Sequence, residues 1–224
     1  MFYDTVIFDL DGTILNTLPD LHGAVNHSLA AHSLPHRTMD EVRRFVGNGI
    51  FNLILRAVPD GCDEATTLSV FEEFKSFYRD NSANLTCPYA GINELLARLK
   101  GEGFKLAVVS NKAHFATVDI CEKYFPGIFD VVLGERESEG IAKKPAPDGV
   151  FEAMKLLSAD KAVYVGDSEV DIETARNASL PCIAVTWGFR EKEILEASGA
   201  EIFADDTAQL YKLILEGTNA HSFN

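Results

Sequence analysis

Asp9 and Asp11 sit two positions apart in the stretch Phe8-Asp9-Leu10-Asp11-Gly12-Thr13. Carboxylates at that spacing can converge on one site at the end of a strand. Gly12 then permits a tight turn, and Thr13 offers a hydroxyl and an N–H to an oxyanion. Three later stretches carry matching chemistry: Ser110-Asn111-Lys112, Lys143-Lys144-Pro145 and Gly166-Asp167-Ser168-Glu169-Val170-Asp171. Taken singly, each has an ordinary explanation. An Asp-Gly pair makes turns, Ser-Asn caps helices, a loop lysine is solvated, and acids dress a helix N-terminus. Taken together, they place Asp9, Asp11, Asp167 and Asp171 in one crevice, with Ser110 and Lys144 beside them.

Charge then dictates the ligand. Four potential negative charges exceed what one lysine offsets, so the crevice calls for a hard divalent cation with oxygen ligands. Mg2+ suits a partly hydrated site with few carboxylates. Together with Lys144, such a cation makes an acidic cleft attractive to a phosphate dianion. A carboxylate such as Asp9 can attack phosphorus and form an aspartyl-phosphate, which splits one slow step into two easier ones. Asp11 is then the group to protonate the leaving alkoxide and afterwards to activate water.

These stretches need a scaffold that brings them together, and short apolar runs supply it. Thr5-Val6-Ile7-Phe8, Phe104 to Val109, Val131-Val132-Leu133, Ala162 to Val165 and Cys182 to Val185 read as strands apolar enough to be buried on both sides. Helix-like stretches lie between them at Ile92 to Leu99, Phe115 to Tyr124, Val150 to Leu157 and Ile172 to Asn177. The alternation predicts an α/β fold, a parallel sheet with helices on both faces, whose strand carboxyl ends line the ligand crevice. Residues 16–86 break the pattern: apolar residues there recur at helical spacing, as in Leu18, Leu21, Val25 and Leu29, and in Leu68, Phe71, Phe74, Phe77 and Tyr78. They are expected to form an inserted helical subdomain, with residues 1–15 and 87–224 as the core domain and the aromatic stripe as the subdomain's own core. The tail after Gly217 reads as polar and frayed.

Composition narrows the partners. The chain has 224 residues and a formal net charge of −14. Residues 16–86 hold 9 acids and 6 bases, a balance of −3, so −11 belongs to the core. Polyanionic partners such as nucleic acid or an anionic membrane are excluded, whereas a small phosphate is not, provided a cation reverses the local sign. No apolar run of about 18 residues is present, and the N-terminus lacks a secretion signal. Cys62, Cys87, Cys121 and Cys182 are widely spaced and read as reduced thiols of a cytoplasmic protein. There is no GxxxxGK[ST] loop, no GxGxxG fingerprint and no GxSxG elbow, and the histidines lack a metal-binding spacing. Trp187 reads as core or rim packing.

The four ordered stretches, Asp9-Leu10-Asp11-Gly12-Thr13, Ser110-Asn111-Lys112, Lys144-Pro145 and Gly166-Asp167-Ser168-x-x-Asp171, resemble the motifs of the haloacid dehalogenase-like hydrolase superfamily. The likeness covers nearly the whole chain, with residues 16–86 as the inserted helical cap. It implies a Rossmann-like core with Mg2+ held by Asp9, the backbone carbonyl of Asp11, and Asp167. It further implies Asp9 as nucleophile and Asp11 as general acid/base. Ser110 and Lys144 then bind the phosphoryl group, with Thr13 and Asn111 beside them, and Asp171 supports the metal site. Dehalogenases of the superfamily lack an acid at the position of Asp11, so the resemblance points to phosphoryl chemistry.

Within the superfamily, the likeness is to phosphoglycolate phosphatases. Arg43-Arg44-Phe45-Val46-Gly47-Asn48-Gly49 and Pro88-Tyr89-Ala90-Gly91 carry it, with Arg44 and Asn48 as candidate substrate contacts. The phosphonatase branch uses a cap lysine, and here Lys75 alone is available, inside the aromatic helix. The expected activity is Mg2+-dependent hydrolysis of a small phosphate monoester, first 2-phosphoglycolate, by a monomer or homodimer. The alternatives are a phosphomutase of the β-phosphoglucomutase kind and a phosphatase for another small phosphometabolite or for pyrophosphate. A receiver-like signalling module is a further rival, disfavoured by the position of Asp9 after the first strand and by the cap.

Overall fold

The computed structural model describes residues 2–47 and 49–217. Chain order gives β1 (Thr5–Phe8), β2 (Leu15–Asn16), α1 (Leu18–Ala31), α2 (Met39–Phe45), α3 (Ile50–Ala57), α4 (Glu64–Asn81) and β3 (Cys87–Pro88). There follow α5 (Ile92–Gly101), β4 (Lys105–Ala113), α6 (His114–Tyr124), β5 (Val131–Glu135), α7 (Asp148–Leu157) and β6 (Ala162–Gly166). The chain continues with α8 (Glu169–Asn177), β7 (Cys182–Val185), α9 (Lys192–Ala197), β8 (Phe203–Ala204) and α10 (Thr207–Glu216). The chain divides into two compact units, Met1–Leu15 with Pro88–Asn224, and Asn16–Cys87.

The larger unit is built on a six-stranded sheet in the order β5-β4-β1-β6-β7-β8, and its pairings are parallel. Alternation along the strands sends side chains to two covered faces. Val6, Phe8, Leu106, Val108, Val163 and Val165 pack with Leu96 and Leu99 of α5, Ile120 of α6 and Leu213 of α10. Ile7, Ala107, Val109 and Tyr164 pack on the opposite face with Val150 and Ala153 of α7 and Ala175 of α8. Burial on both sides explains why these strands read as continuous apolar runs. β1 lies between β4 and β6, with Phe8 beside Val108 and Val165. The carboxyl ends of these neighbours are therefore adjacent and carry three of the four chemical stretches, whereas Lys143-Lys144-Pro145 lies in the loop before α7.

Several boundaries differ from the sequence reading. β4 runs on through Ser110-Asn111-Lys112 to Ala113, with an irregular register between Val109 and Ala113. Polar residues ended the apolar run, but the backbone stays extended past it. α8 starts at Glu169, a few residues before Ile172, because its polar first turn carries little apolar signal. α9, β8 and α10 complete the sheet's far edge and went unassigned in the sequence.

The smaller unit is helical throughout α1 to α4. α1 buries Leu21, Ala24, Val25 and Leu29, and α4 buries Val70, Phe74 and Tyr78, where the two helices pack together. Phe71 instead meets Phe51 edge-on at 5.4 Å, and Phe77 stacks on His27 at 3.9 Å between centroids. Leu68, part of the apolar pattern in the sequence, is exposed. α2 begins with a capping box: Thr38 Oγ1 accepts from Glu41 N–H, and Glu41 accepts from Thr38 N–H at 2.7 Å. Asp20 is buried and accepts from the N–H groups of Leu85 and Thr86 and from the Thr86 hydroxyl. It thereby fixes the segment that follows α4.

Candidate active site

Asp9 directly follows β1, and its N–H donates to Val165 O at 2.9 Å, which registers it against β6. Asp167 directly follows β6, and Asp171 stands in the first turn of α8. The three carboxylates are buried and offer oxygens within 4.8 Å of one another. Lys144 approaches from the loop before α7. Its Nζ lies 2.7 Å from Asp9 Oδ1 and 2.7 Å from Asp171 Oδ1. The lysine is buried rather than solvated, contrary to what an isolated Lys-Pro in a loop suggests.

Asp171 resolves both readings of its sequence position. One oxygen caps α8, accepting from Ser168 Oγ at 2.6 Å and from the N–H groups of Ser168 and Asp167. The other faces Lys144 and the Tyr164 hydroxyl, the latter at 3.2 Å. Tyr164 is fully buried, and its oxygen also lies 3.3 Å from Lys144 Nζ. The sequence showed Tyr164 only as one residue of an apolar strand, so its part in this cluster went unread.

Neighbouring residues take different duties from those expected. Thr13 is buried, and its hydroxyl donates to Asp167 Oδ1 at 2.9 Å instead of facing an oxyanion. The Asn111 side chain is spent on the Lys144 backbone: Nδ2–H donates to Lys144 O at 2.9 Å, and Oδ1 accepts from Lys144 N–H at 2.8 Å. It positions Lys144. Ser110 is buried beside it, and its Oγ accepts from Lys112 N–H. Asp11 keeps partial exposure and stands apart from the three-carboxylate cluster. Its oxygens face Lys112 Nζ at 3.4 Å, so a second lysine shares the offset that the sequence reading gave to Lys144 alone. Trp187 is part of the site's frame as well as packed, since its Nε1–H donates to Thr13 O at 3.0 Å. Arg44 is exposed at the end of α2, whereas Asn48 lies outside the described residues, as does the tail after Gly217.

Electrostatics follow from burial. Desolvation, then the charge of Asp171, holds Asp9 well above the usual carboxylate range despite Lys144. Desolvation and Asp171 likewise push Asp167 up to about 7, against hydrogen bonds from Phe189 N–H and Thr13. Desolvation works against the charge on Lys144, but Asp171 and Asp9 outweigh it and hold the lysine well above its usual value. Lys144 is therefore charged, and the three carboxyl groups clustered beside it offer more potential negative charge than one ammonium neutralises. An all-oxygen donor set with excess buried charge fits a hard divalent cation. With that cation Asp9 and Asp167 can ionise together; without it burial favours their protonated forms.

Comparison with known proteins identifies the family. The sequence profile of the haloacid dehalogenase-like hydrolases matches residues 6–185. A phosphoglycolate phosphatase from Mesorhizobium japonicum is 34% identical over 197 residues, covering 85% of this chain and 86% of the relative. A structure from Lactobacillus delbrueckii subsp. bulgaricus, provisionally named as a phosphoglycolate phosphatase, superposes with a TM-score of 0.89 at 38% identity, covering 96% of this chain and 99% of that one. The structure of CbbY from Rhodobacter sphaeroides in complex with phosphate aligns at a TM-score of 0.69 and 25% identity, over 93% and 96% of the respective chains. The buried aspartates at adjacent strand ends and the match over most of the sequence lead to one assignment: the chain belongs to the haloacid dehalogenase-like hydrolase family.

Proposed function

We propose that the protein is a Mg2+-dependent phosphatase that hydrolyses a small phosphate monoester, 2-phosphoglycolate first among them, through an aspartyl-phosphate on Asp9. The observation that carries this reading is Lys144 held at 2.7 Å from both Asp9 and Asp171, with Asp167 in the same buried cluster. A fixed cation beside a buried carboxylate nucleophile is the arrangement that phosphoryl transfer requires, because negative oxygens must approach one another. The names of the relatives support the phosphate-ester class and the choice of first substrate.

In this reading Asp9, the backbone carbonyl of Asp11 and Asp167 hold Mg2+, with Asp171 in support. When bound, the ion neutralises charge on the phosphoryl oxygens. Asp9 supplies the attacking oxygen. Lys144 draws the phosphoryl group toward it, with Ser110 alongside and Asn111 fixing the lysine's backbone. Asp11 is partly exposed and close to Lys112, placed to give a proton to the leaving alkoxide and to take one from the incoming water. Arg44 and Asn48 remain the candidates for substrate selection. The free cysteines fit a reducing, cytoplasmic setting.

A sugar phosphate is the second reading, favoured by the likeness to CbbY, one of whose structures holds xylulose-(1,5)bisphosphate. Phosphate release from a panel of phosphorylated metabolites, with Mg2+ and after chelation, tests the proposal. Fast Mg2+-dependent release from 2-phosphoglycolate supports it. Slow release alongside rapid isomerisation of a sugar phosphate overturns it in favour of a mutase.

A further inference from the structure

The segment after β7, Thr186-Trp187-Gly188-Phe189-Arg190, is tied down along its length. Thr186 N–H donates to Ala204 O at 3.1 Å, and Arg190 pairs with Glu169 at the start of α8 at 2.7 Å. Between these anchors, Phe189 N–H donates to Asp167 Oδ2 at 2.8 Å. Gly188 passes so near that a Cβ there would lie 2.3 Å from the Cβ of Asp167. The opposite side of the same carboxylate is held by the loop after β1. Thr13 Oγ1–H donates to Asp167 Oδ1 at 2.9 Å, and a Cβ on Gly12 would meet Asp167 Oδ2 at 2.4 Å.

Asp167 is thus gripped from two directions, with one hydrogen bond to each oxygen and a glycine on either side. Trp187 joins the two grips, since its indole N–H donates to the carbonyl of Thr13, the residue whose hydroxyl holds Oδ1. A solvated acid gains nothing from such restraint. A carboxylate that ligates a cation does, because fixing its rotamer and lone-pair directions beforehand removes the cost of arranging them on binding.

We infer that Trp187, Gly188 and Phe189 form a positioning element for the cation site, setting the orientation of Asp167, with Trp187 acting through Thr13. The inference rests on the reading of Asp167 as a cation ligand. Trp187 does not touch substrate; it is a positioning residue.

Calorimetric titration of the metal-stripped full-length protein with Mg2+ tests this. Trp187→Phe keeps an aromatic ring but removes the N–H. It is expected to weaken Mg2+ binding about 10-fold, within the range for partners that orient a ligand. Its kcat at saturating Mg2+ and the thermal midpoint of its metal-free form are expected to stay near those of the parent. Gly188→Ala, which forces a carbon onto Asp167, is expected to lose more affinity; if it does not fold, Trp187→Phe carries the test. Parental Mg2+ affinity in Trp187→Phe overturns the inference, as does a loss of stability and kcat with affinity unchanged. Failure of the parent protein to bind Mg2+ overturns the ligand reading of Asp167 as well, so the two failures are distinguishable.

Discussion

Lys144 Nζ and Asp171 Oδ1 stand 2.7 Å apart inside the protein, and the same ammonium is 2.7 Å from Asp9. One side chain therefore bridges two buried carboxyl groups and, under the proposed function, also serves the chemistry. Removing one partner from a buried ion pair strands the other, at a cost of about 3–5 kcal/mol. Lys144→Ala is expected to abolish phosphatase activity and to destabilise the metal-free protein by about that amount at neutral pH. The loss should shrink under mild acid, where Asp9, already raised by burial, takes up a proton. Urea unfolding at two pH values checks the expectation.

Asp11 offers a sharper chemical test than stability does. If it protonates the leaving oxygen, the need for it depends on the leaving group. Asp11→Asn is expected to slow hydrolysis of an alkyl phosphate by about 10²–10⁴-fold. The loss should be much smaller for p-nitrophenyl phosphate, whose phenolate leaves without a proton. Steady-state rates on both substrates check this, and equal losses would count against a proton-donor role.

Burial and Asp171 raise Asp167 to about 7, and burial raises Asp9 well above its ordinary range. An acid whose native pKa exceeds its unfolded value binds protons more tightly when folded. Its stabilising effect is complete below the unfolded value of 3.8 and is lost as pH rises through about 7. The metal-free protein is therefore expected to unfold at lower denaturant concentration at pH 8 than at pH 6. Mg2+ should narrow the gap, since it binds the ionised acids and releases their protons. Denaturation midpoints with and without Mg2+ read the effect directly.

Asp20 organises the helical unit through backbone and hydroxyl donors, accepting from Leu85 N–H, Thr86 N–H and Thr86 Oγ1. Asp20→Ala removes the acceptor these donors share and is expected to cost about 2–3 kcal/mol, with Asp20→Asn intermediate. Chemical denaturation checks the ranking. Limited proteolysis should show earlier cleavage near Leu85 in the alanine variant.

Much of the site was legible because its groups lie in short contiguous stretches at the ends of apolar strands. Asp9, Asp167, Asp171 and Lys144 could be grouped from order and spacing, and the structure brings them into one cluster. Less legible were residues whose duty depends on a partner distant in sequence. Tyr164 looked like strand interior, and only the fold shows its hydroxyl facing Lys144 and Asp171. Lys112 passed as the end of a Ser-Asn-Lys stretch, yet it faces Asp11 across 101 positions. Thr13 and Asn111 carried the right chemistry but turn it inward, toward Asp167 and the Lys144 backbone. The strand-helix alternation gave the fold class because burial on both faces leaves a continuous apolar signal. β8 escaped because two residues at a sheet edge leave none.

The central claim is that Asp9 becomes covalently phosphorylated. Acid quenching of the Mg2+-loaded enzyme during turnover of 2-phosphoglycolate, followed by digestion and peptide mass spectrometry, tests it most directly. The account predicts one added phosphoryl group on the peptide containing Asp9, and neither adduct nor turnover in folded Asp9→Asn. Phosphorylation at another residue, or sustained turnover by Asp9→Asn, would contradict it.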